Sequence, residues 1–363
     1  MKKEIGGEFH LSWLDLFGRN LNQYQNFLVK DKKHFFTSSG RDSLKLIIKI
    51  LKLSKEDEVL LPSYLCKDIL KPFKKEHINI KFYKVNPNLI VDLEDIKKKI
   101  TGRTKALLII HYFGFLQPNQ QELREICDKS SLYLIEDNVQ ALLTKKRLED
   151  YSDFSFNSYR KFLAIPDGSL LLSKKDFDKN WGETSLKHFF YIYLRYLATN
   201  FKSLYLKINL PPKFSFLRIL KYSDSLLDGY PKPAKMSCLS KKILAKINFE
   251  QIIRKRRENF RYLLANLKNI RFIRPLFFEL PDNVCPLGFP ILVRDRELLK
   301  KKLIEKRIYP PIHWELSEDI NKEEFQASWK FSQNILTIPI DQRYGKKEMD
   351  YIIKKIKSIC QNW

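Results

Sequence analysis

The sequence predicts an α/β fold: a large domain with a mostly parallel sheet between helices, followed by a smaller C-terminal α/β domain. Over the first half, short apolar runs alternate with helical patterns, and after about residue 176 this rhythm changes. An alternation of strands and helices is typical of a parallel sheet covered on both faces. With 363 residues, 44% of them hydrophobic, the chain can build two domains and a large core.

Four short apolar runs in the first half predict strands, at residues 58–62, 81–85, 106–110 and 132–135. The last two are almost continuously hydrophobic, as strands buried on both faces are. Apolar residues at helical spacing predict the helices between them. These helices cover residues 43–53, 92–100 and 119–129.

The second half begins with an aromatic and basic segment at residues 186–221, and a long, strongly charged helix follows at about 240–267. Farther on we expect strands at 289–293 and 335–339 and helices at 297–305 and 346–360. The predicted domains are therefore residues 1–235, with 186–221 as an insertion, and residues 236–363.

The chain carries 67 basic and 42 acidic residues, a formal net charge of +25. Such an excess attracts nucleic acid, anionic bilayers and phosphorylated metabolites. The basic residues are spread along the whole chain, whereas a nucleic-acid reader concentrates them on one element. We interpret the excess as charge on solvated helix faces and expect no specific nucleic-acid partner.

The sequence also predicts the cellular compartment of the protein and whether it binds a metal. The chain has no run of 18 uncharged apolar residues, and its first residues lack the apolar segment of a secretory signal. The five cysteines and six histidines are scattered, without the spacing of a metal site. We therefore expect a cytoplasmic protein with reduced thiols and no bound metal.

Three segments carry candidate chemistry. Residues 37–42 precede an amphipathic helix, where backbone N–H groups can bind a phosphate or a side chain can cap the helix. Residues 136–141 end a buried strand with two carboxylates, which need a cationic partner or cap the next helix. Residues 153–162 place Lys161 between apolar segments, where desolvation makes an amine nucleophilic; a surface lysine is the alternative.

Taken in order, these segments resemble the pyridoxal-phosphate (PLP) aminotransferases of the aspartate-aminotransferase fold, and above all the DegT-like nucleotide-sugar aminotransferases. The resemblance runs over nearly the whole chain. Its motifs are Ser39-Gly40-Arg41-Asp42-Ser43-Leu44, Glu58-Val59-Leu60-Leu61-Pro62-Ser63, His111-Tyr112-Phe113-Gly114, Glu136-Asp137-x-x-Gln140-Ala141, residues 288–293 and Pro311-Ile312-His313-Trp314. The family fold implies a sheet of the seven-stranded type and active sites between the subunits of a homodimer.

The resemblance implies a role for each matching residue. Lys161 would bond covalently to the PLP aldehyde and act as general base. Asp137 would pair with the pyridine nitrogen, and Gln140 would contact the phenolic edge of the ring. His313 and Trp314 would line the sugar-nucleotide side of the site, or form a packed loop.

The phosphate of PLP would be held by Ser39 and by the backbone N–H groups of Gly40 and Arg41. A hydroxyl of Ser155 or Ser158 would help. The spacing from these serines to the lysine is one residue longer than the family pattern, so both stay open.

Two positions depart from the family pattern. Cys66 stands where an aromatic residue often stacks on the ring, so Cys66 fills that place or Tyr64 turns into it. Residues 231–237 replace an Asn-x-Arg-Met loop that reaches the neighbouring subunit. Lys235 keeps a cation there, but the amide is lost.

The implied activity is PLP-dependent transamination of a nucleotide-linked keto sugar, with glutamate as amino donor, for surface polysaccharide or glycoconjugate biosynthesis. One alternative is a PLP-dependent sugar dehydratase. Some dehydratases of this kind have His at the lysine position, so Lys161 argues against that version. A second alternative is a scaffold or regulator that kept the fold without catalysis, and a third is a basic nucleic-acid or membrane binder. The segment 186–221 packs in a core or subunit interface, or docks on an anionic bilayer.

Overall fold

The computed structural model describes residues 4–11, 17, 19–28, 31–145, 151–178, 181–182, 185–228 and 232–361. The strands are β1 (Ile5–Gly6), β2 (Lys33–Thr37), β3 (Glu58–Pro62), β4 (Asn79–Tyr83), β5 (Thr104–Ile110), β6 (Tyr133–Asp137), β7 (Phe154–Phe156), β8 (Ser169–Ser173), β9 (Ile273–Pro275), β10 (Phe289–Val293), β11 (Ile308–Tyr309) and β12 (Ile335–Ile338). The helices are α1 (Gly40–Leu51), α2 (Leu70–Lys75), α3 (Leu93–Lys99), α4 (Gln120–Lys129), α5 (Leu186–Ile208), α6 (Lys213–Asp228), α7 (Cys238–Leu244), α8 (Phe249–Leu267), α9 (Arg296–Glu305), α10 (Gln326–Asn334) and α11 (Lys346–Cys360). None of these helices combines the length and the apolar character needed to cross a membrane.

Seven strands form the large sheet, in the order β2-β8-β7-β6-β5-β3-β4. β3 pairs in parallel with β4 and β5, β5 pairs in parallel with β6, and β2 and β8 are antiparallel. Helices α2, α3 and α4 connect the successive parallel strands, because a tight turn cannot join a parallel pair. β5 is buried from Ala106 onward, as its almost continuous hydrophobicity predicts, and β3 is buried throughout. The predicted fold class is confirmed.

Contacts divide the chain into two compact units. The first comprises residues 1–4, 8–51 and 156–249, and the second comprises residues 5–7, 52–155 and 250–363. The domain division after residue 235 stays a prediction.

The second unit contains the antiparallel sheet β12-β10-β9. Its core is an apolar cluster to which α8 contributes Phe260 and Leu263 and β10 contributes Ile291. Helix α11 adds Ile352 and Ile356, and it turns its lysines to solvent. This is the ordinary arrangement of an amphipathic helix on a core.

The long helix predicted at 240–267 is wrong in one respect, because it is interrupted between α7 and α8. The carbonyl of Ala245 accepts hydrogen bonds from the N–H groups of Leu21 (2.7 Å) and Asn22 (2.8 Å). The N–H of Phe249 donates to Oε1 of Gln23 at 2.8 Å. In a continuous helix this carbonyl and this N–H would bond to each other. A segment more than 200 residues upstream therefore replaces the helical bond.

Candidate active site

In the second unit, Asp137 ends β6 as a buried carboxylate, only 3% exposed. Its Oδ1 accepts from the N–H of Val139 at 2.8 Å, and its carbonyl accepts from the N–H of His111 at 3.2 Å. Burial raises the pKa of the neighbouring Tyr112 well above its ordinary value, and the charge of Asp137 adds to that rise. A buried anion held in one orientation at a strand end is suited to face a cationic ligand atom.

Gln140 lies three residues after Asp137, and among the described residues only the oxygen of its side-chain amide is held by a hydrogen bond. Its Oε1 accepts from the backbone N–H of Phe113 at 2.7 Å. Because Oε1 is the acceptor, Nε2 must point the other way, and this buried atom has no hydrogen-bond partner among the described residues. A buried amide donor without a partner calls for a ligand or a water. This atom supports the fit of a ligand that carries an acceptor, as the phenolic edge of PLP does.

The predicted substrate-side loop lies against the same segment. The His313 and Phe113 rings meet edge to face, with centroids 5.8 Å apart, and Nδ1 of His313 lies 2.9 Å from Oγ1 of Thr337. Both His313 and Trp314 are half-buried. Phe113 thus contacts both residues, because its ring meets the ring of His313 and its N–H donates to Gln140. Sequence reasoning missed this residue, because its N–H carries no side-chain signature.

Tyr64 does not take the position that Cys66 leaves open. It is completely buried, and its hydroxyl donates to the carbonyl of His313. Its ring packs against Trp314 and Phe331, with centroids 5.6 and 5.5 Å away. Burial raises the pKa of the Tyr64 hydroxyl well above its ordinary value, so it remains a donor. Cys66 stays half-buried and forms no disulfide.

The ring of His111 lies among groups of the second unit. It is completely buried, and its Nδ1 accepts from the N–H of Gln117 at 3.0 Å. Its Nε2 lies 3.7 Å from Oε1 of Glu136, which is also buried. Both ring nitrogens therefore face groups of the second unit.

In the first unit, the predicted phosphate turn starts α1 and is capped. Oγ of Ser39 accepts from the N–H of Asp42 at 3.2 Å and donates to Oδ2 of the same residue at 2.7 Å. The hydroxyl of Ser39 is therefore engaged in capping, and Gly40 and Arg41 form the first turn of the helix. Oγ of Ser38 is buried without a hydrogen-bond partner among the described residues. This unpaired hydroxyl, at a helix N-terminus, is the atom suited to an anion, and the sequence did not single it out.

The turn that carries Lys161 lies beside this phosphate turn. The carbonyl of Ser38 accepts from the N–H of Gly168 at 2.6 Å, and the carbonyl of Gly168 accepts from the N–H of Tyr159 at 3.0 Å. Gly168 has φ +132°, and a Cβ on it would lie 2.7 Å from Cε of Met236, so only glycine fits. Of the two candidate hydroxyls, Ser158 lies in this unit and Ser155 in the other, and both side chains are buried.

The environment expected for Lys161 is wrong in the single chain. Lys161 is exposed, whereas the adjacent Arg160 is largely buried. Nη1 of Arg160 donates to the hydroxyl of Tyr191 at 2.7 Å, and Nη2 lies 3.5 Å from Oδ1 of Asp224. Burial acts to lower the pKa of Arg160, but Tyr191, Glu8 and Asp224 more than offset it and raise that pKa above its ordinary value. The desolvated cation of this turn is thus the arginine.

The segment that replaces the cross-subunit loop pairs with the phosphate turn. Its first residue, Pro231, lies outside the described residues. The carbonyl of Ala234 accepts from the N–H of Ser38 at 2.8 Å. Nζ of Lys235 lies 5.6 Å from the centre of the Trp181 ring, so this cation contacts an aromatic face.

The DegT/DnrJ/EryC1/StrS aminotransferase family matches residues 12–180. Over 173 residues the chain is 28% identical to GDP-perosamine synthase of Vibrio cholerae, covering 45% of this chain and 47% of that protein. Over 342 residues it is 24% identical to dTDP-3-amino-3,6-dideoxy-alpha-D-galactopyranose transaminase of Aneurinibacillus thermoaerophilus, covering 88% of this chain and 83% of that protein. Over 136 residues it is 27% identical to GDP-4-keto-6-deoxy-D-mannose 3-dehydratase of Escherichia coli O55:H7, covering 34% of each. The chain thus spans less than half the length of two of these three relatives.

Solved structures share the fold. NtdA of Bacillus subtilis, with bound cofactor PMP, superposes with a TM-score of 0.68 at 20% identity, covering 95% of this chain and 78% of that chain. The aminotransferase TlmJ of Streptoalloteichus hindustanus superposes with a TM-score of 0.68 at 15% identity, covering 98% of this chain and 91% of that chain. At these identities the likeness establishes the fold.

The chain has the α/β fold of solved sugar aminotransferases, and a buried carboxylate ends one of its central strands. Residues 12–180, just under half of the chain, are similar to the DegT/DnrJ/EryC1/StrS aminotransferase family. The resemblance that the sequence predicts is confirmed, and PLP, the cofactor that this resemblance implies, is the cofactor of that family.

Proposed function

We propose that this chain transfers an amino group to a nucleotide-linked keto sugar, with glutamate as donor. The relatives from Vibrio cholerae and Aneurinibacillus thermoaerophilus are named for nucleotide-linked amino sugars, which supports the substrate class. The observation that carries the proposal is the buried pair at the end of β6: the carboxylate of Asp137 and the unpaired Nε2 of Gln140. The amino sugar would feed a surface polysaccharide or a related glycoconjugate.

When bound, PLP supplies an electron sink for the carbanion that transamination requires. Asp137 would hold the proton on the pyridine nitrogen, because a buried anion favours the protonated ring. Nε2 of Gln140 would donate to the phenolic oxygen. Oγ of Ser38 and the N–H of Gly40 would hold the phosphate.

Lys161 would take a proton from the substrate carbon and deliver it to the cofactor carbon, which requires a neutral amine shielded from water. In the single chain this side chain is exposed. We therefore propose a homodimer in which the second subunit, with the cofactor, excludes water from Lys161. His313 and Trp314 would contact the sugar nucleotide. We place the enzyme in the cytoplasm, where its five free thiols stay reduced.

The exposure of Lys161 and the burial of Arg160 favour a second candidate, a scaffold or regulator without catalysis. A dehydratase is a third, since one relative is named as a 3-dehydratase. A basic nucleic-acid binder has no support beyond net charge.

One experiment separates these candidates. The purified chain is incubated with PLP, reduced with borohydride and digested, and the peptide that carries the cofactor mass is identified. We expect the mass on Lys161, with loss of the visible absorption band in Lys161→Ala and no loss in the exposed control Lys174→Ala. A chain that takes up no PLP, or fixes it at another lysine, contradicts the proposed role of Lys161 and favours the scaffold.

Activity is then read on nucleotide-linked keto sugars with glutamate as donor. Formation of an amino sugar supports the aminotransferase. A deoxy sugar formed without incorporation of nitrogen would instead identify a dehydratase.

A further inference from the structure

Helices α5 and α6 form a hairpin in which the two helices pack against each other. Ala198, Phe216 and Leu220 form an apolar cluster between the two helices. Nη1 of Arg195 on α5 lies 2.7 Å from Oδ1 of Asp224 on α6. The surfaces that α5 and α6 turn toward each other are therefore covered within the hairpin.

The distribution of side chains around α5 is the reverse of an ordinary surface helix. Arg195 and Lys202 are buried, at 2% and 5% exposure, together with His188, Thr199 and Ser203. Arg195 is neutralised by Glu8 as well as by Asp224. Surface helices of globular proteins bury apolar residues and expose charged ones, as α11 does. Here the polar side faces inward, so the apolar side remains in solvent.

The exposed apolar side chains form a stripe. Of the 16 large hydrophobic side chains that are exposed within the described ranges, ten lie between residues 186 and 222. They are Leu186, Phe189, Phe190, Tyr193, Leu204, Ile208, Leu210, Phe214, Leu217 and Tyr222. The members on α5 recur at intervals that return to one face, since 186 and 204 are separated by about five helical turns. A contiguous exposed apolar surface of this extent marks a binding site.

The charge around the stripe selects the partner. Residues 186–223 contain seven Lys and Arg residues and no Asp or Glu. Four of the cations are exposed: Lys187, Lys207, Arg218 and Lys221. In a twofold contact with a second copy, the same patch would face itself and bring these cations together. An anionic surface with an apolar interior complements both the stripe and its cations.

We propose that the α5–α6 hairpin docks on an anionic phospholipid bilayer. The aromatic stripe enters the boundary between headgroups and acyl chains, and Lys187, Lys207, Arg218 and Lys221 contact lipid phosphates. α5 has 23 residues but is not apolar enough to span a membrane, so the hairpin lies in the plane of the surface.

The test uses the full-length chain and unilamellar vesicles of phosphatidylcholine, with and without phosphatidylglycerol. We expect binding to the phosphatidylglycerol vesicles, weak binding to phosphatidylcholine alone, and release as salt is raised. The variant Lys187→Glu/Lys207→Glu/Lys221→Glu is expected to lower the partition coefficient by at least about a hundredfold, from about a fivefold loss per basic residue. The matched control Lys347→Glu/Lys354→Glu/Lys357→Glu changes three exposed lysines of α11, and its binding should change far less.

The apolar stripe is tested by Phe189→Ser/Phe190→Ser/Phe214→Ser, which should abolish vesicle binding while leaving the melting temperature unchanged. A conservative variant, Phe190→Trp, keeps the surface apolar. Its fluorescence should shift to the blue with phosphatidylglycerol vesicles and be quenched by brominated lipid. Tyr351→Trp on α11 provides the matched control, without shift or quenching.

Equal affinity for the two kinds of vesicle, an equal loss in the α11 control, or an unchanged Phe190→Trp spectrum each overturns the proposal. A second copy as the occupant would give a different result. The serine variant would then convert a dimer to a monomer in light scattering, and no vesicle would bind the parent chain.

Discussion

The end of β6 and the turn after β7 show two ways in which the fold places charged and polar groups. At the end of β6, Asp137 and Gln140 are buried and held by backbone N–H groups, that of Val139 two residues on and that of Phe113 27 residues earlier. In the turn after β7, two adjacent cations differ in their environment. Arg160 takes part in an ionic network, whereas Lys161 faces solvent. Backbone N–H groups within two sequence motifs hold the first site, whereas side chains of α5 and α6 hold Arg160 at the second. A motif is therefore a better guide to the first.

The largest expected effect comes from Asp137→Asn at the first site. Removing the buried charge should lower kcat/KM of the PLP-loaded enzyme by about 10²–10³-fold, since it removes one preorganised electrostatic contact. The absorption spectrum of the bound cofactor should change as well, which a purely structural role of Asp137 would not cause. The control is Asp128→Asn on α4, an exposed carboxylate paired with Arg124 at 2.8 Å. An equal loss in that control would show that the effect is not specific to the site.

Arg160→Met tests the second site through stability. The change leaves Asp224 and Tyr191 without this cation and should lower the free energy of unfolding by about 2 kcal/mol, below the usual value for a fully buried pair because Arg160 keeps 21% exposure. Denaturant titration measures the loss, and Arg218→Met on α6, which is exposed, is the control. A stability equal to that of the control would show that the network contributes nothing.

Gln140→Leu returns to the first site with a smaller effect. The leucine fills the same volume but cannot donate to the cofactor, so PLP affinity should fall by about tenfold, the equivalent of one hydrogen bond. Equilibrium titration of the absorption band measures it, beside the exposed control Gln121→Leu on α4. Unchanged affinity would mean that Nε2 faces water rather than PLP.

The smallest expected effect concerns pH and Glu8, a partner of the network around Arg160. Glu8 is 48% exposed, and its partial desolvation acts to raise its pKa, but the charges of Arg195, Arg160, Lys161 and Lys202 prevail and lower that pKa from 4.5 to about 2. A carboxyl whose pKa is lowered by folding stabilises the fold above its unfolded pKa, and this contribution is lost as pH falls from 4.5 towards 2. Glu8→Gln should therefore make stability less dependent on pH in this window. Identical acid-unfolding curves for the variant and the parent would contradict this.

The sequence predicted most of the sheet and little of the ionic network. The strands at 58–62 and 289–293 and the helix at 346–360 have the predicted bounds, because burial on a core imposes a period that can be read directly. The burial of Arg160 depends on Tyr191 and Asp224, which are 31 and 64 positions away in sequence, so no local pattern reveals it. The sequence likewise could not predict that Oγ of Ser38 lacks a hydrogen-bond partner among the described residues, since the hydroxyl of a serine in a turn is as often hydrogen-bonded as not.

The interruption between α7 and α8 bears on how the chain acquires its structure. Residues 238–267 alone contain no strong helix breaker, and only the docking of Leu21, Asn22 and Gln23 divides them. Without these contacts, residues 238–267 could therefore form one continuous helix. The amino-terminal segment thus separates α7 from α8 by occupying the carbonyl and the N–H that would otherwise join them.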